Sequence, residues 1–209
     1  MSNEVKTKEK VNMDPKYIIK LTVTLFATCV IVAGLLGLVN MVTKDKIAAI
    51  NWENTQTAMK AVVADPDNTE FSEALENTDA MSAAAKAAGG TLDSVYEVLV
   101  GGENAGYAIK VVASGSQGNI EMMVGVDAEG VVTGVSIVKN SETSGIGSKV
   151  MDNMPTAKGV GVLDQFVGMS GAGSLSVGSN VDAISGATVS SKGVTKGVNT
   201  ALAAAEAIG

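Results

Sequence analysis

The chain has 209 residues, 46% of them apolar, a formal net charge of −7, no histidine and a single cysteine. Without histidine there is no Ser–His or Cys–His catalysis and no imidazole metal ligand. With Cys29 alone, no disulfide, thiolate zinc site or iron–sulfur cluster can be held by this chain by itself. All 15 basic residues are lysine and aromatics are 3%, so the basic groove and stacking platform of a nucleic-acid binder are missing, and any redox chemistry needs an organic cofactor.

The first segment, 1–20, is polar and holds Lys6, Lys8, Lys10, Lys16 and Lys20 against Glu4, Glu9 and Asp14. The run "LTVTLFATCVIVAGLLGLVNMV", Leu21 to Val42, follows without a charge. At about 1.5 Å per residue it reaches ~33 Å, enough for a hydrocarbon core of about 30 Å. No Ala-x-Ala site closes it, and "FATC" is a poor lipoprotein site, so it reads as an uncleaved transmembrane anchor. The lysines of the tail outnumber Lys44, Lys46 and Lys60 after the span, which predicts a cytoplasmic N-terminus and an extracytoplasmic body. Ala33 and Gly37 form a small-xxx-small pair, and Asn40 adds an amide, a pattern suited to packing against other membrane helices.

Beyond the anchor, residues 43–90 read as a helical connecting region: helix continuing toward Pro66, then a second helix over about 70–88 that stops at Gly89-Gly90. The pattern then changes to strands over 94–100, 106–113, 119–126 and 131–138, with turns at "GGENAG" and "DAEG". On the last strand, Val131, Thr133, Val135 and Ile137 are expected on one face. Met122 and Met123 read as core. Residues 140–180 are rich in Gly and Ser, with a short helical candidate at 163–167. The C-terminal segment shows Val194, Val198, Leu202 and Ala205 at helical spacing, with Ser190 or Ser191 as the expected N-cap. Gly193 and Gly197 each weaken such a helix by ~1 kcal/mol relative to Ala, a cost that close approach of a neighbouring group would explain. Strands and helices alternate without a βαβ rhythm. The fold class is therefore α+β: one N-terminal transmembrane helix followed by a mixed α/β domain over 91–209.

The stretch "VDAISGATVSSKGV" places a glycine-containing turn before a helix N-terminus, where free N–H groups and the positive dipole end favour a phosphate. Ser185, Thr188, Ser190 and Ser191 offer hydroxyls, Gly186 allows close backbone approach, and Lys192 and Lys196 bring positive charge. Turns of this kind also cap helices without binding anything, and "NSETSGIGSKV" also reads as an ordinary loop.

A resemblance bears on that choice. "DAISGATVSS" resembles the attachment signature of the covalent FMN-binding domain family, found in the C subunit of the sodium-pumping NADH:quinone reductase and the G subunit of the Rnf ferredoxin:NAD oxidoreductase. "GYAIKVVASGSQGNI", "VGVDAEGVVTGVSIV", "SETSGIG" and "LDQFVG" agree in order, and the single anchor and chain length look like the Rnf member. The resemblance implies one FMN, joined through its phosphate to Thr188 by a flavin transferase. It also implies that Ser185, Gly186, Ala187, Ser190 and Ser191 cradle the phosphate, and that Glu142, Thr143 and Gly145 contact the flavin. It further implies an electron-relaying member of an ion-translocating complex in the cell membrane, with the other membrane subunits as partners. The family loop usually carries a proline where Ser144 stands, and its loss is expected to loosen that turn. The competing reading is an anchored extracytoplasmic binding or scaffold domain with no redox group, and a third is a related flavoprotein serving another extracellular acceptor.

Overall fold

The computed structural model describes residues 14–208; the predicted tail lysines Lys6, Lys8 and Lys10 lie outside the described residues. The chain divides into two units after Ile50. Helix α1, Pro15–Ala61, supplies the first up to Ile50, with an apolar stretch of mean hydropathy 2.4 whose side chains are exposed throughout. A long helix exposed in this way is stable where lipid, not water, covers it.

The second unit is built on a five-stranded antiparallel sheet in the order β1-β2-β3-β4-β5. The strands are β1 (Thr69–Phe71), β2 (Thr91–Val100), β3 (Glu103–Ser114), β4 (Asn119–Asp127) and β5 (Val132–Lys139). The β2–β3 hairpin turns on Gly101 and Gly102, both at positive φ, as a two-residue connection between right-twisted strands requires. At the β4–β5 turn, Asp127 Oδ1 accepts from the N–H groups of Glu129 and Val131.

Alternation along the strands sends side chains to two cores. Ile109, Val111, Ile120, Met122 and Val124 point to one face, where helix α4 (Thr188–Glu206) covers them with Val194, Val198, Ala201 and Leu202. Helix α2 (Asp79–Ala87) adds Met81 and Ala85 to that layer. Tyr96, Val98, Ala108 and Met123 point to the opposite face, covered by Ala58, Met59 and Val62. Both methionines are core, as expected, on opposite sides.

Three expectations change. The region predicted as helix over 70–88 begins with β1, which pairs with the end of β2; helix starts only at Asp79, where Thr78 caps the Met81 N–H. Helix α1 ends at Ala61, short of Pro66, because Val62 turns inward to cover the back of the sheet. On β5, a bulge between the Gly125–Gly134 and Val126–Val132 pairs breaks the expected common face. Val132, Val135 and Ile137 join the α4-side cluster, whereas Thr133 donates its hydroxyl to the Val62 carbonyl at 2.7 Å. Residues 51–208 lie in one compact unit, in which β1, α2 and the end of α1 pack on the sheet.

Residues 140–187 are irregular apart from the short helix α3 (Ser148–Met151) and a 3-10 turn at Asp164–Phe166. The 3-10 turn lies within the predicted 163–167 candidate and buries Phe166 fully. Gln165 fixes the approach to the signature: its amide donates to the Asp182 carbonyl at 3.0 Å and accepts from the Asp182 N–H at 2.8 Å. Lys158 pairs with the Asp182 carboxylate at 2.8 Å.

Candidate functional site

The turn before α4 is closed by the Ala187 N–H donating to the Ile184 carbonyl, with Ser185 and Gly186 between them. Gly186 has φ 82 and no heavy atom close to a would-be Cβ, so backbone conformation, not space, calls for glycine there. The helix starts at Thr188, not after Ser190 or Ser191: its N-cap is Ala187, with no side-chain cap hydrogen bond. A side-chain acceptor at this position is ordinarily worth about 1 kcal/mol. Here the first turn instead borders a recess of about 170 Å³, lined by Ser116, Glu142, Thr143, Ile146, Gly147 and residues 186–190.

The three hydroxyls of the first turn have separate environments. Ser191 is buried, donates to the Ala187 carbonyl at 3.1 Å and accepts from the Ile184 N–H at 3.3 Å, stapling helix to turn. Ser190 is buried and donates to Glu142 Oε2 at 2.6 Å. Thr188 is exposed at the recess.

Glu142 joins three segments. Its Oε1 accepts from the N–H groups of Ser116 at 2.7 Å and Gln117 at 3.2 Å, while Oε2 holds Ser190. A Cβ on Gly115 or Gly147 would collide with these same oxygens, so both glycines make room for the carboxylate. Thr143 lines the recess. Gly145, at φ 78, is exposed beside it; Ile146 and Gly147 furnish the wall. Despite Ser144, the loop is tied by Gly145 N–H to Ser148 Oγ at 2.9 Å and by Ile146 N–H to the Thr143 carbonyl.

Of the predicted residues, then, Thr188, Gly186, Ala187, Ser190, Glu142 and Thr143 come together around one recess. Ser185 does not; it lines a neighbouring groove with Lys149, Met154 and Thr156. Ser116, Ile146, Gly147 and Val189 complete the recess and were not predicted. All four lie inside the quoted motifs, Ser116 in "GYAIKVVASGSQGNI", Ile146 and Gly147 in "SETSGIG" and Val189 in "DAISGATVSS".

Residues 115–203 match the FMN-binding domain family, a span that holds every residue lining the recess. The chain is 36% identical over 207 residues to the G subunit of the Na(+)-translocating ferredoxin:NAD(+) oxidoreductase complex of Acetobacterium woodii, covering 93% of this chain and 95% of that one. The chain belongs to this family of G subunits. It is 29% identical over 193 residues to the G subunit of the ion-translocating oxidoreductase complex of Methanosarcina acetivorans, covering 90% and 95%. It is 31% identical over 107 residues to the G subunit of the proton-translocating ferredoxin:NAD(+) oxidoreductase complex of Clostridium ljungdahlii, covering 51% and 57%.

The geometry fits an FMN held by its phosphate. The uncapped helix start and the glycine turn suit an anion. The recess is smaller than the roughly 300 Å³ at which enclosed sites for drug-sized ligands begin. Its size suits the phosphate end, and two of its lining side chains, Ile146 and Val189, are 52% and 58% exposed.

Proposed function

We propose that this chain is the FMN-bearing electron-transfer subunit of an ion-translocating ferredoxin:NAD oxidoreductase complex, with the FMN phosphate esterified to Thr188. When bound, FMN supplies the capacity to accept and release electrons singly or in pairs. The protein's part is to hold it. Thr188 provides the exposed hydroxyl for the ester, and the first-turn N–H groups of α4 face the phosphate charge. Ser190 and Glu142 fix that turn without spending their own polar groups on the ligand. The ester lies at the end remote from the ring, so attachment serves retention, and the ring's surroundings set its potential. The observation that carries this reading is the division of labour among the hydroxyls: Ser190 and Ser191 are buried and engaged, whereas Thr188 faces out.

Attachment calls for a flavin transferase acting on the exposed side chain, and electron relay calls for the other subunits of the complex. The exposed apolar face of α1 supports single-pass anchoring in the membrane that holds that complex. The lysine bias favours an N-terminus in the cytoplasm and an FMN domain on the extracytoplasmic side. There, covalent tethering keeps a cofactor that could not be readily replaced.

The test is intact mass and in-gel flavin fluorescence of the full chain made with an active flavin transferase. The expected result is a gain of one FMN less one water, mapped to the peptide containing Thr188, with fluorescence that survives denaturation and disappears in Thr188→Ala. An unmodified Thr188 beside a labelled control protein would leave the non-redox scaffold reading in its place.

A further inference from the structure

The face of the sheet opposite α4 is covered only in part. Helix α1 ends at Ala61, and Val62 fills the space over Gly125 and Gly134, where a Cβ would collide with it. The chain then turns away through Pro66 to form β1. Beyond Val62 this leaves a cavity of about 170 Å³. Its lining includes Val98 and Val126, 7% and 2% exposed, together with Val63 and Tyr107, and Val100 stands in it 46% exposed. Strand pairing is irregular after Val98 and after Gly125, so bulges shape this end of the sheet. The lining hydroxyls of Thr69 and Thr133 donate to the carbonyls of Asp65 and Val62, so neither is left to face a polar ligand.

The surroundings of this cavity carry one sign. Segments 62–70, 98–107 and 126–133 supply the whole lining; they hold Asp65, Asp67, Glu70, Glu103, Asp127 and Glu129 and no lysine. The chain as a whole has 15 lysines for 22 acids, so these segments are a local excess of negative charge. The volume is below the roughly 300 Å³ at which sites for drug-sized ligands begin, and suits a single side chain. An apolar pocket that takes one buried anchor inside a charged rim is the anatomy of a protein–protein hot spot. The acidic rim repels a second copy of the same face and selects lysine or arginine on the partner.

We propose that this cavity is a docking socket for another subunit of the complex, which inserts one apolar side chain carried on a lysine- or arginine-bearing segment. The anchor supplies apolar burial, and the rim sets orientation and choice of partner. The socket is separate from the Thr188 recess. Ala105 lines the socket near the start of β3, and Gly115, against the Glu142 carboxylate, follows its end, about 30 Å away along an extended strand. The proposal rests on the membership of a complex proposed above, which co-purification of the other subunits reads separately, and not on the flavin.

The experiment is photocrosslinking of the full chain within the purified complex, with p-benzoylphenylalanine in place of Ala128, an exposed turn residue between Asp127 and Glu129, followed by peptide mass spectrometry. The same probe in place of Trp52, whose ring lies 6.4 Å from Tyr96, is the positive control and should link within the chain. The expected result is a link from position 128 to another subunit, at a segment that holds an apolar residue beside a lysine or arginine. Its yield should fall about tenfold in the paired Asp67→Lys and Glu103→Lys variant, which reverses two rim charges. Ala105→Trp, which plugs the cavity and leaves its charge alone, should abolish it. An unchanged yield in either variant overturns the proposal, as does a link only to lipid, to a second copy or to a segment without lysine or arginine. No link from position 128 beside a linked Trp52 control overturns it equally. The Trp52 probe is also read in both variants, so a fold lost to substitution shows as a lost internal link.

Discussion

Replacing Glu142 with alanine tests whether this carboxylate ties the protein together or simply faces the ligand. The carboxylate accepts three hydrogen bonds, but their loss is not equal. Ser116 and Gln117 are exposed, and water can take over their N–H groups. Ser190 is 1% exposed, and its hydroxyl loses the 2.6 Å partner that covers it. An unsatisfied buried hydroxyl costs about 1–3 kcal/mol, so the expected destabilisation is about 2 kcal/mol. In a domain of this size that corresponds to a fall in Tm of about 4–8 °C. The assay is thermal unfolding of the full chain in detergent, produced without a flavin transferase and followed by fluorescence of the single tryptophan, Trp52, whose ring lies 6.4 Å from Tyr96. Glu142→Gln retains an acceptor for the backbone N–H groups and offers its amide to Ser190, so it should recover most of the loss. A double-mutant cycle with Ser190→Ala should give a coupling of at least about 1 kcal/mol. A Tm for Glu142→Ala within about 1 °C of the parent, or a coupling near zero, would refute the clamp.

Gly193→Ala gains about 1 kcal/mol of helix propensity, but its Cβ would stand 2.7 Å from the Ser114 carbonyl oxygen; a net loss of Tm is expected, and a rise would contradict the close approach. Gly197→Ala meets the Met122 thioether, a flexible obstacle, and should cost less than Gly193→Ala in the same melt. Thr133→Val removes the hydroxyl bonded to the Val62 carbonyl and should lower stability by about 1 kcal/mol in denaturant titration, with flavin content unchanged. Burial pulls the Lys110 pKa down, but hydrogen bonding and charge from Asp93, with Glu121, outweigh it and hold it above the ordinary 10.5. Its stabilisation is therefore complete below about pH 10.5 and lost as pH rises through the raised value. Lys110→Met should flatten that alkaline limb of the stability curve.

The parts legible in the sequence were those set by simple periodicities. The anchor follows from an uncharged run, the hairpins from paired glycines and alternation, and the C-terminal helix from its apolar spacing. Even the two glycines within that helix were readable as contacts, since Ser114 and Met122 press against them. What escaped was decided by tertiary context. The segment before Asp79 is composed like a helix, yet Phe71 is drawn into pairing with Val98, and Thr78 stops the helix from extending backward. The face of β5 could not be read because one bulged residue reverses the alternation. Within the site, a hydroxyl's type says nothing about its direction, so Ser185 could not be separated from Ser190, nor Ile146 from Gly145.

The displacement of the helix start by three or four residues matters most for the chemistry. Had Ser190 or Ser191 been the N-cap, as composition suggests, Thr188 would have stood outside the helix in a flexible approach, and a serine oxygen would already satisfy the first-turn N–H groups. With Ala187 at the cap, Thr188 is the first helical residue, and the cap side chain offers those donors no acceptor. Both candidate capping serines are used sideways instead, Ser190 on Glu142 and Ser191 on the turn behind it. The same arrangement that holds the turn still thus leaves its hydrogen-bonding capacity free for an anion on the neighbouring side chain. Placing a carboxylate at the cap, by Ala187→Asp, sets a negative charge against the proposed phosphate, but Ala187 is 3% exposed and part of the core, so the same change buries that charge. A lower Tm combined with reduced flavin loading is the expected pair of results. Undiminished loading at the lower Tm would show that the helix start is not where the phosphate sits.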